Sequence, residues 1–163
     1  MIDIFGDSDF KPLIRFRTEI PDYYVSEDGR LFSTKSNKFR KPVTNYRYNS
    51  TGEKQIKNQQ WRTQIPPDLF DDYQYTKRFS NSKNVELNIK CHRAVMETWK
   101  PIDEYPPIPK EDWDNCPESA KQWIRDTAII DHIDDDPTNN HVDNLRWVVP
   151  KDNSPHRKAY QND

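Results

Sequence analysis

The residues with the most chemical potential stand near the C-terminal end: Asp131-His132, then Asn144 twelve positions on, then Asn153. An imidazole titrates near ordinary working pH, so His132 can serve as a general base. An amide oxygen can hold such a ring and fix its tautomer, the part read here for Asn144. Asp131 and Asn153 together offer one anionic and one neutral oxygen. That pair suits a hard divalent ion such as Mg2+, with Mn2+ as a substitute, because the ion keeps several waters and completes its shell from substrate. His156, three residues after Asn153, either shares a helical face with it as a further metal or phosphate contact or belongs to an exposed tail. An isolated Asp-His pair is more often a structural hydrogen bond; the ordered set is what points to a site.

These residues need particular elements to position them. The β-branched segment Ala128 to Ile133 reads as a strand and Asp134 to Asn140 as a polar loop. A second strand follows, in which Leu145, Trp147 and Val149 share one face and Asn144 and Arg146 the other. Pro150 then opens a helical turn at Lys151, Asp152 and Asn153. Two features fit poorly. Neighbouring strand residues point to opposite faces, so Asp131 and His132 meet in one site only if the strand twists or ends there. Pro155 falls where the helix carrying Asn153 and His156 should continue. Asn139 and Asn140 read as turn formers, His141 as a loop residue and His92 as a packed or capping histidine.

The runs Ile130-Asp131-His132-Ile133-Asp134 and Pro137-Thr138-Asn139-Asn140-His141-Val142-Asp143-Asn144-Leu145-Arg146-Trp147-Val148 closely resemble the HNH homing endonucleases of bacteriophage genomes and introns. Asp135 departs from the pattern, standing where such relatives usually carry glycine. Cys91-His92-Arg93-Ala94-Val95 resembles the family's His-Arg-Leu-Val helix start. Ile20-Pro21-Asp22-Tyr23-Tyr24-Val25-Ser26-Glu27-Asp28-Gly29-Arg30-Leu31 resembles the small DNA-binding motif these nucleases carry near their N-terminus. The resemblance spans residues ~15 to ~158. It implies a ββα-metal unit that hydrolyses phosphodiester bonds in duplex DNA, a reaction that needs an activated water, a cation on the scissile phosphate and a stabilised leaving oxygen. Many such relatives continue into a helical DNA-reading part; here the chain ends soon after that unit, and looser sequence specificity is expected.

Charge agrees once it is resolved along the chain. The net charge is only −2, yet from Arg30 to Arg62 nine cations (Arg30, Lys35, Lys38, Arg40, Lys41, Arg47, Lys54, Lys57 and Arg62) face Glu53 alone. Phe32, Phe39, Tyr46, Tyr48 and Trp61 lie among them, a mixture suited to phosphate contacts and groove-edge hydrogen bonds. Residues 101–136 carry eleven acids against Lys110, Lys121 and Arg125. This reading therefore sets DNA docking on the basic stretch, away from the acidic one.

With 33% hydrophobic residues but five Trp and eight Tyr, burial must rest on a few large rings. Cys91 and Cys116 have no zinc-knuckle spacing, so reduced thiols and no structural zinc are expected. No apolar run approaches the ~20 residues of a membrane span, and the acidic start MIDIFGDSDF lacks a signal pattern. A cytoplasmic protein, in a bacterial host if phage-encoded, is expected.

The fold expected is α+β: an acidic lead (1–12), an antiparallel β DNA-binding module (13–90), a connecting helix and acidic insertion (91–126), an HNH ββα-metal unit (127–158) and a tail (159–163). Asp28-Gly29 and Thr51-Gly52 should close tight hairpins. One site per chain favours nicking by a monomer. The competing reading is a non-catalytic DNA-binding or partner-binding protein of the same shape, its acidic insertion 101–126 meeting a basic protein surface. RNA as substrate is disfavoured, since nothing resembles an RNA-binding module.

Overall fold

The computed structural model describes residues 9–70, 77–78 and 84–150. It is a mixed α+β protein of three antiparallel sheets and three helices among the described residues, in the expected class. The positions of Asn153, Pro155 and His156, and the helix expected to carry them, lie outside those residues. So do most of the acidic lead and the tail.

The first sheet is a meander of β1 (Phe10–Arg15), β2 (Thr18–Ser26), β3 (Leu31–Ser33) and β4 (Lys38–Arg40). β1 begins within the segment read as a lead, because Phe10 packs with Phe32 and Leu13 is fully buried. The second sheet has the order β5-β6-β8-β7, from β5 (Val43–Tyr48), β6 (Lys54–Ile65), β7 (Lys77–Arg78) and β8 (Val85–Lys90). Its period-2 pattern is clean: Trp61, Thr63 and Ile65 on β6 and Val85, Leu87 and Ile89 on β8 turn inward. The third sheet is a hairpin of β9 (Ile129–His132) and β10 (Leu145–Val148).

Three helices join these sheets. α1 (Cys91–Trp99) buries Cys91, Ala94, Val95, Met96 and Thr98, and ends before Pro101 as its pattern demands. α2 (Lys110–Asn115) was not legible in the sequence; it exists to seat Trp113, which is 2% exposed beneath Lys121 and Arg125. α3 (Glu118–Thr127) is the expected short amphipathic helix, but only Ile124 is fully inside and Trp123 is 62% exposed. Three acids of this region are held in ion pairs. Asp103 accepts from Arg17 and Arg125, Glu118 from Arg125, and Asp114 pairs with Lys110. One buried cluster runs from Leu13 through α1 to Trp147, so the β-module and the C-terminal hairpin share a core. No helix among the described residues is long and apolar enough to cross a membrane.

Both glycine turns close hairpins, and by the same construction. Gly29 N–H donates to Ser26 O and Gly52 N–H to Asn49 O, each glycine at φ +83°. They differ in surroundings. A Cβ on Gly29 would lie 3.2 Å from Asn140 Cβ and Asn140 O, whereas one on Gly52 would meet nothing within 4 Å. The close approach is fixed by a backbone bond of 2.8 Å from Val142 N–H to Glu27 O, which ties the β2–β3 turn to the loop before β10. Gly52→Ala should therefore cost about 1 kcal/mol from φ strain alone and Gly29→Ala about 2 kcal/mol or more. Urea unfolding of both variants measures the difference; equal losses would show that the Asn140 contact contributes nothing.

Candidate active site

β9 brings Asp131 and His132 to one place. Both residues line a cavity of about 530 Å3. The strand ends at His132 and the chain turns at once, Asp135 N–H donating to His132 O. Up to that turn both stay in the ladder, His132 opposite Leu145 and Asp131 opposite Arg146.

His132 is held by an amide, though not the expected one. Its Nε2 lies 2.9 Å from Asn140 Oδ1, and the Asn140 amide nitrogen is turned toward Thr138 O at 3.5 Å. With the oxygen facing the ring, Nε2 is the ring nitrogen that donates to it. Asn144 does not reach the ring. It lies in a 3-10 turn (Val142–Asn144), not on the strand, and its amide nitrogen donates to Asp134 Oδ1 and Asn139 O, both at 2.9 Å. Its Oδ1 accepts from Asp134 N–H. The amide at the His132 ring is therefore that of Asn140, while Asn144, expected there from sequence, bonds to Asp134 and Asn139 in the loop that carries Asn140. Asn140 was read as a turn former; its 6% exposure in a polar loop marks it as more than that, a signal only tertiary burial supplies.

The loop between the strands is a ladder of small polar bonds. Asp136 N–H and Asn139 Nδ2 bond to the Asp134 carboxylate, and Thr138 bonds to Asp136. Asn139's amide, then the Asp136 N–H and Asn144's amide, hold the Asp134 carboxyl below its ordinary range. Asp135 has φ +61°, the left-handed conformation for which glycine is usual. The missing glycine is therefore met by a residue that tolerates that region, not by a different turn.

Asp131 lies 6% exposed and is engaged by Arg146, its cross-strand partner, whose Nε and Nη2 both donate to Oδ2 at 2.9 and 2.8 Å. No group of three or more His, Cys, Asp or Glu side chains among the described residues is placed to hold a metal ion. Beside His132 sits His92, rings edge to face at 5.3 Å. It is the packed histidine expected. Burial first, then the charges of His132, Lys90, Arg93 and Arg15, push its pKa down to about 3, and its Nδ1 has no hydrogen-bond partner. Burial likewise pushes the Cys91 thiol up to about 12; Cys91 and Cys116 are both unbridged.

The basic residues divide. Arg47 and Lys57, with Gln55 and Ile56, line the same cavity as Asp131 and His132. Lys57 sits at a β-bulge: pairing passes from Asn45 with Asn58 directly to Tyr46 with Ile56, leaving Lys57 without a cross-strand partner. Lys54 lies over the Tyr46 ring, and Arg62 is exposed on β6. Lys35, Lys38, Arg40 and Lys41 are exposed at and around β4, while Arg30 is paired with Asp28 and lies over Phe10 and Phe39. The basic stretch is thus not remote from the candidate site, as the sequence reading had it, but forms one of its walls.

Two outcomes follow. Glycine relieves and alanine keeps the left-handed strain at position 135, so Asp135→Gly should be more stable than Asp135→Ala by about 1 kcal/mol in thermal melts. His92 has a folded pKa near 3 against about 6.5 for the free side chain, so the unfolded chain takes up its proton first between those values. Its contribution to stability is complete above pH ~6.5 and is lost as pH falls toward ~3. His92→Gln should flatten the fall of stability in that window, measured by denaturation at a series of pH values; an unchanged slope would contradict the assignment.

Residues 102–154 match the model of a family described as HNH endonuclease. An uncharacterised HNH endonuclease of Acanthamoeba polyphaga mimivirus is 27% identical over 135 residues, which are 83% of this chain and 27% of that protein. The chain thus spans about a quarter of the length of that relative. A solved structure described as DNA binding and cleavage by the HNH homing endonuclease I-HmuI covers 93% of this chain and 59% of its own, at 20% identity and a TM-score of 0.47. The sequence similarity to HNH endonucleases therefore falls on the segment that holds Asp131, His132, Asn140 and Asn144.

Proposed function

We propose that the protein is a metal-dependent endonuclease that nicks duplex DNA, with His132 as the general base. The observation that carries this reading is the shared cavity: Asp131, His132, Arg47 and Lys57 all line it, and His132 Nε2 is occupied by Asn140. With Nε2 occupied, Nδ1 is the atom left to take a proton from water. Arg47 and Lys57 supply positive charge for the phosphate that the water attacks. Arg146 orients the Asp131 carboxylate, and Asn144 braces the loop that carries Asn140.

A divalent ion fits the donor chemistry here, since Asp131 offers a buried carboxylate on the cavity wall and Asn153 the neutral oxygen assigned to it from sequence. When bound, Mg2+ would polarise a phosphate oxygen and stabilise the leaving oxygen. His156 remains the further ligand or phosphate contact proposed from sequence, and Lys35, Lys38, Arg40, Lys41, Lys54 and Arg62 the outer DNA contacts. A monomer suffices for nicking. One observation favours the non-catalytic reading: Arg146 already neutralises the carboxylate that a metal ion would need.

Relaxation of supercoiled plasmid with Mg2+ or Mn2+ decides between them. His132→Ala and Asp131→Ala should each lower the nicking rate by roughly 10²- to 10⁴-fold. Asn140→Ala, which frees the ring without removing it, should lower it about 10- to 100-fold. Salt-sensitive duplex binding with no nicking by the wild type in either metal would establish the non-catalytic reading instead.

A further inference from the structure

A second cleft, about 880 Å3 in volume, is lined by residues of β1, β6, β8, α1, α3 and β10. Its walls carry Arg15, Arg17, Lys90, Arg93 and Arg125 against Glu97, Asp103 and Asp126. The acids are mostly committed. Asp103 is shared by Arg17 and Arg125 at 2.8 and 2.7 Å, and Glu97 binds Arg15 at 2.7 Å with Arg93 at 3.9 Å. Lys90 has no acidic partner among the described residues. The charges that act on it are Arg93, Lys57 and Arg15, all cations.

The charges around Lys90 reach the candidate active site. Lys90 pairs in register with Gln60 on β6, three residues beyond the bulged Lys57, which lines the cavity that His132 also lines. Two residues on from Lys90, His92 packs against the His132 ring, and Arg93 lies over the Trp147 ring on β10. Lys57, Arg93 and Arg15 all act on Lys90, so the four cations form one group, Lys57 at the His132 cavity and the other three in the cleft, with Gln60 and Asn88 as flanking amides there.

We propose that this group is a phosphate track: the cleft at Lys90 and Arg93 holds the phosphodiester backbone of the same DNA duplex whose scissile phosphate lies at His132. The assignment rests on the nucleic-acid reading above and extends it to residues outside the basic stretch 30–62. Like charges held together with one shared acid, Glu97, are stabilised by a polyanion, and a nucleic-acid strand supplies one negative charge per ~3.4 Å of helix axis. A free polyphosphate offers the same chemistry, but interacting cations that line two cavities fit a polymer.

The test is duplex binding by fluorescence anisotropy in EDTA from 50 to 200 mM salt. Lys90→Gln should lower the slope of log K against log salt by about one unit, as loss of one phosphate contact requires. Lys90→Arg should keep the wild-type slope, which separates charge from fold. Lys110→Gln, whose side chain lines neither cavity, should keep it too. A Lys90→Gln slope equal to wild type overturns the proposal, as does no salt-dependent duplex binding by the wild type. Inorganic tripolyphosphate should compete only in proportion to its ionic strength; selective competition lost in Lys90→Gln would assign the cleft to a small anion and overturn the track. Plasmid nicking measured in parallel keeps the two readings apart. A wild type that nicks while Lys90→Gln binds unchanged retires the track alone, and one that shows the slope change without nicking retires the nuclease alone.

Discussion

None of the three sheets can bury an apolar face by itself, and α1 is the element that resolves this. A two-stranded hairpin such as β9-β10 is marginal in water without a partner. Here Leu145 and Trp147 join Ala94, Val95 and Met96 of α1 in one buried cluster with Leu13, Ile20 and Val25 of the first sheet and Trp61, Leu87 and Ile89 of the second. Polar bonds fix the orientation: Trp99 Nε1 donates to Val25 O, Ile14 N–H to Thr98 Oγ1, and Trp147 Nε1 to Lys100 O. A helix of nine residues thus sets the relative positions of everything that meets at His132.

That dependence explains why the candidate site is assembled from so many parts of the chain. His132 comes from β9, its hydrogen-bond partner Asn140 from the following loop, its ring neighbour His92 from the first turn of α1, and Arg47 and Lys57 from the β5–β6 hairpin. The β2–β3 turn clamps the Asn140 loop through Glu27 O and the bare backbone at Gly29. A distant hairpin therefore helps hold the His132 ring. The geometry also gives charge a direction. Asp103, Asp114 and Glu118 of the 101–126 region are held by Arg17, Lys110 and Arg125, while Arg47 and Lys57 line the cavity that His132 also lines.

Local rules carried far in this chain. The period-2 runs of β8 and β10, the helix stop before Pro101, the two glycine turns and the Asp131-His132 placement at a strand end were all legible, because each depends on neighbours within a few residues. α2 was not. Six residues give too little periodicity to read, and its reason for existing, a pocket for Trp113, is supplied by Lys121, Arg125 and the core. Trp123 misled for the converse cause: helical spacing put it beside Ile124, but no other element covers it.

The sequence by itself determined the chemistry on offer: an imidazole and a carboxylate at a strand end, amides in the loop that follows, and a basic stretch separate from an acidic one. What only the tertiary structure decided is which of these groups meet. Two asparagines four residues apart are equivalent as ring holders in a linear reading; the 3-10 turn at Val142–Asn144 sends one amide to Asp134 and leaves Asn140 for His132. Likewise the bulge at Lys57 and the packing of α1 bring cations to the cavity that separation along the chain had set apart. Hydrogen-bond direction and burial are set by contacts between elements, and no spacing rule contains them.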